Sequence, residues 1–259
     1  MAADIESTAL IRDGEQRDPL VDIAIGPSLL RSIAAAQSSP VLRVYSPAPT
    51  VAFSGRDCLE AGIGLAAEAA RRHGYVPVRR GPGGRAIAYH PGCLGLDHIA
   101  AAPRGELRIG ERFAEYGALL AGALRELGID AQVGPIPGEY CAGEFSVNDG
   151  RSHKLIGTAQ RLVPGGWLFS SMIVVTDADS VRDVLVPVYE HLKVSWDPTT
   201  VGAVTDVVPG LTVADVAEAV IARYGRSHRF ASAALPAAVV ERAVEAAARH
   251  QVPGAVYPP

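Results

Sequence analysis

Cysteine is scarce in this chain. Only Cys58, Cys93 and Cys141 occur in 259 residues, and no two form a C-x-x-C pair. Neither a disulfide framework nor a cysteine-based zinc site has the residues it needs, and a reducing cytoplasm is the expected compartment. Positive charge is not in excess either: 24 Lys plus Arg against 28 Asp plus Glu leave a net −4, which argues against nucleic acid as a partner. Residues Met1 to Asp18 are polar and acidic, without the apolar centre of a signal peptide, and no later run reads as a membrane span; no membrane association is expected. Carboxylates are not paired at a spacing suited to acid/base hydrolysis. His90, Cys93 and His98 form an H-x2-C-x4-H run, but on a strand these side chains do not all share a face, so no metal site is expected.

What is present suits a globular fold. The chain is 48% hydrophobic and 20% charged, enough for a large core. Apolar spacing predicts a helix over Asp22 to Ala36, an Ala-rich helix over Cys58 to His73 closed by Gly74, and a third through Phe113, Tyr116, Leu120, Leu124 and Leu127, closed by Gly128. Strands are predicted at Val41 to Tyr45, Thr50 to Phe53, Tyr75 to Val78, Gly95 to Ala100, Phe145 to Val147, Leu155 to Gln160 and Trp167 to Val175. Beyond Pro209-Gly210, Val213 to Tyr224 and Pro236 to His250 have helical spacing.

Two islands carry chemistry. Arg79-Arg80-Gly81-Pro82-Gly83-Gly84-Arg85-Ala86 joins two apolar segments: its arginines offer planar charged forks for carboxylate or phosphate oxygens, and its glycines let a ligand approach backbone N–H groups. It lacks the Gly-Lys-Ser/Thr of a Walker loop, and Pro91-Gly92 follows too soon for a dinucleotide helix. A plain hairpin turning at Pro82-Gly83 is the alternative. The second island, Lys154-Leu155-Ile156-Gly157-Thr158-Ala159-Gln160-Arg161, opens on a lysine ahead of an apolar run; taken alone, that lysine reads equally as an exposed strand residue.

Together the islands, preceded by Pro49-Thr50-Val51-Ala52-Phe53-Ser54-Gly55-Arg56, resemble the lipoate-protein ligase A and octanoyltransferase family of the biotin/lipoate ligase fold, over about Asp22 to Tyr224. The resemblance implies an α+β fold of mixed β-sheets packed with helices: a catalytic domain over 1–205 and a small helical tail, 206–259, packed on it. It implies transfer of an octanoyl or lipoyl group onto the lysine of a lipoyl-domain protein, with acyl carrier protein as possible donor. It also implies that Arg79, Arg80, Gly83, Gly84, Arg85, Ala86, Gly157 and Ala159 bind the acyl group while Lys154 contacts the reacting carbonyl. Val78, Ile87 and Ala88 would line an apolar slot. Loss of such carbonyl stabilisation typically costs about 2–4 kcal/mol of barrier.

Departures from the family pattern leave the route open. Tyr89 stands where ligases carry a histidine, and Ser170-Ser171 replace a His-Gly pair. Cys141, in Pro137-Gly138-Glu139-Tyr140-Cys141-Ala142-Gly143, lies in a loop comparable with that of cysteine-dependent octanoyltransferases, where a thiolate would carry the acyl group without a cofactor and Lys154 would favour its charged form. The alternatives are an ATP- and magnesium-dependent ligase of free lipoate or octanoate acting through an acyl-adenylate, and an inactive binder of medium-chain acyl groups or adenylates. Biotin ligation is a weaker fit to the Lys-x-x-Gly-x-Ala-Gln-Arg form.

Overall fold

A computed structural model describes residues 6–103 and 105–257. The chain runs β1 (Glu6–Asp13), α1 (Pro19–Ala36), β2 (Val41–Tyr45), β3 (Thr50–Phe53), α2 (Ile63–Arg72), β4 (Val76–Arg79), β5 (Ile87–Tyr89) and β6 (Cys93–Ala101). It continues through α3 (Ile109–Glu126), β7 (Gln132–Val133), β8 (Val147–Asn148), β9 (Lys154–Val163) and β10 (Gly166–Val174). The last elements are α4 (Ala178–His191), α5 (Val204–Val207), α6 (Val213–Tyr224), β11 (His228–Ser232) and α7 (Ala237–Ala246). Local chemistry sets several of these ends. Asp18 accepts from the N–H of Leu20 at 2.8 Å and Pro19 opens α1, as a capped helix start requires. Gly128, at φ +90°, follows α3 in the left-handed conformation that glycine adopts without penalty.

Eight strands form one mixed sheet in the order β11-β1-β2-β6-β10-β9-β8-β7. β6 is central and buried along nearly its whole length, so its sequence is continuously apolar apart from Asp97 and His98. α1 and α7 cover one face, where Ile25, Leu29, Leu30 and Ile33 meet Ile99 and Leu168. α3 and α6 cover the other, packing Tyr116, Leu120, Val220 and Tyr224 against Leu94 and Phe169. α1 is long and apolar enough to cross a bilayer by length and composition, contrary to the expectation that no segment is; its apolar face is spent on this sheet.

A second sheet, β4-β3-β5, packs with α2 and α4. Its topology excludes the hairpin alternative. β4 pairs parallel and β5 antiparallel to β3, so residues 80–86 arch across the end of β3 and overhang the larger sheet. Beyond the short strands β5 and β7, the strand β1 and the single-turn α5, which the sequence did not announce, three elements differ from sequence expectation. α4 carries Val181, Val184, Leu185 and Val188 at helical spacing behind the N-cap Asp177, a signal interrupted by Pro187. β11 lies within the expected helical tail, pairing parallel to β1. α2 begins only at Ile63, because Asp57–Leu59 form a separate 3-10 turn.

Candidate active site

A cavity of about 330 Å³ lies between α1, the α1-facing side of β6, β10 and β9, and the arch between β4 and β5. Gly26 permits this contact: a Cβ there would come within 2.9 Å of Asp97 Oδ2. Ile23, Ile87, Leu168 and Met172 make its walls apolar, while Asp22, Tyr45, Tyr89, Asp97 and Ser170 add polar groups. Crossing from β9 over β10 to β6 spans two strand spacings, about 10 Å, comparable with an extended medium-chain acyl group. The acidic groups are organised by Arg43, which is 1% exposed. Its guanidinium donates to Asp13 at 2.8 Å, contacts Asp22, lies 3.6 Å from Asp97 and stacks on the ring of Tyr45. Burial nevertheless pushes the Asp97 carboxyl up, against the opposing pull of Arg43 and of the hydroxyl of Ser170.

The loop before β8 supplies a thiol to this cavity. Cys141 is half-buried and held at φ +43°, a left-handed conformation unusual outside glycine that often marks a working residue. Its backbone N–H donates to Tyr189 Oη at 2.8 Å, and that hydroxyl donates to the carbonyl of Ala86 at 2.9 Å; α4 thereby ties the thiol loop to the arch. The sulfur accepts from the Arg85 N–H at 3.2 Å and lies 3.7 Å from Arg80 Nη2. Both contacts turn an N–H donor on the sulfur. Gly84, at φ +96°, closes this corner: a Cβ would sit 2.7 Å from Sγ and 2.9 Å from Arg80 Nη2.

Lys154 is one of two lysines in the chain, with Lys193. It is 1% exposed, and its Nζ donates to the carbonyls of Tyr140 and Cys141 at 3.0 and 2.9 Å. Glu139 Oε2 lies 3.7 Å away, while Glu139 Oε1 accepts from Ser146 Oγ and the Gly143 N–H. Burial lowers the Lys154 pKa, and Glu139 opposes that. The lysine therefore grips the backbone of the thiol loop with its charge near Cys141, and the side chain hydrogen-bonded toward sulfur is that of Arg80.

The structure gathers most of the expected residues. Arg80, Gly83, Gly84, Gly157, Ala159, Lys154 and Cys141 all line the cavity. Arg79 does not: β4 alternation turns it outward, and its carbonyl bonds His250 Nδ1 at 2.8 Å. Arg85 offers its backbone to the sulfur but pairs its guanidinium with Asp57 and Glu60 at 3.1 and 2.9 Å. Ala86, Val78 and Ala88 are buried in the core behind the arch, whereas Ile87 faces the cavity. Glu139, Tyr189, Arg43 and Asp97 were missed by sequence reasoning. They sit in no motif, and only the helical spacing of α4 could have drawn attention to Tyr189.

An acyl-sized cavity with a cradled thiol and a buried lysine on an α+β scaffold defines a class, the acyl-transferring and acyl-ligating enzymes. Comparisons narrow it. Residues 18–225 match the model of the lipoyl protein ligase A/B catalytic domain, and the chain belongs to that family. An octanoyl-[GcvH]:protein N-octanoyltransferase of Geobacillus kaustophilus (strain HTA426) is 29% identical over 195 residues, covering 74% of this chain and 68% of the relative. Two solved structures share the fold: a lipoate-protein ligase A bound with ATP (TM-score 0.74, 19% identity, 94% and 95% of the two chains covered) and a bipartite lipoate protein ligase from Thermoplasma acidophilum (TM-score 0.73, 20% identity, 94% and 93% covered).

Proposed function

We propose that this chain moves an octanoyl or lipoyl group between lysines of lipoyl-domain proteins through a thioester on Cys141. The observation that carries the reading is the cradle itself: a sulfur at the rim of a medium-chain-sized cavity, receiving the Arg85 N–H at 3.2 Å beside the Arg80 guanidinium. In loading, the thiolate attacks the acyl carbonyl of an acylated lysine on a GcvH-like donor. A C–S bond forms as the C–N bond breaks, and the proton given up by the thiol passes to the departing nitrogen, which leaves as the amine. In discharge, a second lysine reverses the step on a new carrier. Oxyanions form at both stages. Two of the three Lys154 N–H groups are spent on the loop carbonyls and Glu139 faces the ammonium; its charge, together with that of Arg80, stabilises the oxyanion.

Amide enters and amide leaves, so the bond energy is conserved and neither ATP nor magnesium is required. A nucleophilic cysteine needs reducing surroundings, and we place the enzyme in the cytoplasm on that ground. The test is intact mass after mixing with an octanoylated lipoyl-domain protein, without ATP and with EDTA, beside Cys141→Ala. A hydroxylamine-sensitive octanoyl adduct absent from the variant is expected. Acceptor labelling that occurs only with ATP and free octanoate would overturn the reading in favour of a ligase. Loading from octanoyl-acyl carrier protein alone would keep the thioester and replace the donor.

A further inference from the structure

The thiol borders a second cavity. About 350 Å³ in volume, it is lined by Ser54, Arg56, Arg85, Glu139, Tyr189, Val194 and Ser195, and it shares the wall made by Gly83, Gly84, Cys141 and Ala142 with the acyl cavity. The two chambers thus meet at the sulfur. An acyl group seated in the first chamber with its carbonyl on Sγ leaves the amine partner needing another way to that carbonyl, and the second chamber opens beside it. Its chemistry differs from the first. Val194 and Tyr189 flank polar Ser54 and Ser195, and Arg56 is exposed and in no ion pair among the described residues. The Glu139 carboxylate is spent on Lys154, Ser146 and the Gly143 N–H, so positive charge at Arg56 and at Arg80, by the sulfur, disfavours an ammonium arriving there and favours the neutral, nucleophilic amine.

Resting on the thioester reading above, we propose that this second cavity is the channel for the lysine side chain of the carrier protein, delivering the donor amide and then the acceptor amine to the side of the thioester away from the acyl chain. In discharge the neutral ε-amine attacks the thioester carbon. The C–N bond forms as the C–S bond breaks, the C–S electron pair returns to Sγ, and the amine proton passes to that sulfur.

The test separates discharge from loading. Wild-type protein, Ser195→Trp and Val194→Phe are each loaded with octanoyl-N-acetylcysteamine, a small thioester, and checked by intact mass; each is then mixed with an unmodified lipoyl-domain protein. Both variants are expected to hold an adduct that hydroxylamine still removes, yet to discharge to the lipoyl domain at least tenfold more slowly than wild type. Discharge at the wild-type rate from both loaded variants would overturn the channel while leaving the thioester in place. Intact discharge with loading blocked only from octanoyl-acyl carrier protein would also overturn it, reassigning the chamber to a phosphopantetheine arm. A wild-type protein that takes no adduct on Cys141 would defeat the thioester reading itself, and the channel with it.

Discussion

Gly84 shows how closely the site depends on single atoms. Its positive φ and the 2.7 Å that would separate an added Cβ from the Cys141 sulfur act together: alanine is strained there by about 1–2 kcal/mol and must displace either the sulfur or Arg80. Gly84→Ala is expected to stay folded, to melt a few degrees lower, and to change the rate of iodoacetamide labelling at Cys141 at least tenfold. Labelling at the wild-type rate would show that Gly84 does not pack on the thiol. The pair Lys154–Glu139 makes a different kind of demand. Both side chains are sealed from water, so removing one leaves the other buried without its counter-charge, held only by its remaining hydrogen bonds, at a cost of about 3–5 kcal/mol. Lys154→Met should lose that much by urea denaturation, and adding Glu139→Gln should restore at least half. A double variant no more stable than the single one would mean that the two are not coupled.

At the scale of elements, β6 carries one source of pH sensitivity. His98 is enclosed by Tyr116, Trp167, Tyr224 and His228, and neither ring nitrogen has a hydrogen-bond partner among the described residues. Burial, with the neighbouring His228 and Arg112, lowers its pKa from 6.5 to about 3. The unfolded chain takes up this proton as pH falls below the ordinary value, and the folded chain does not until near the lowered one. Stability should therefore fall with pH across that window, by about 1.4 kcal/mol per pH unit for one proton. The urea midpoint of the wild type should decline from pH 7 to 5 more steeply than that of His98→Phe; equal slopes would clear His98. The same strand shows what a sequence reveals. Its apolar run announced a buried strand, as the spacing of α3 and α6 announced those helices, because each pattern is local. The Arg43 hub was illegible, since Asp13, Asp22 and Asp97 approach it from β1, α1 and β6. The two islands could be read because glycines and cations cluster in sequence, but which arginine faces the thiol depends on where β4 ends, and that is set by its pairing with β3.

For the whole molecule, the question is whether residues beyond the family-matching segment, 18–225, are an appendage or part of one cooperative unit. Their contacts argue for the second. β11 extends the large sheet beside β1, and α7 buries Val239, Ala243 and Ala246 against α1. Arg242 Nη2 donates to Ser32 Oγ at 2.6 Å. The last turns reach the site's own support: His250 bonds the carbonyl of Arg79, and the Tyr257 hydroxyl donates to that of Pro77 at 2.7 Å, so both ends of β4, which launches the arch, are held from the C-terminal side. α1 in turn forms one wall of the acyl cavity. Deleting residues 226–259 should expose the α1 face and one edge of β1, costing roughly 3–5 kcal/mol of apolar burial and about 10 °C in melting temperature. It should also slow formation of the Cys141 adduct, through loss of support for β4 and α1. Calorimetry on both forms decides the matter: one transition in the full chain and a lower midpoint in the truncated one are expected, whereas a truncated protein that melts and acylates like the full chain would make the tail a separate appendage.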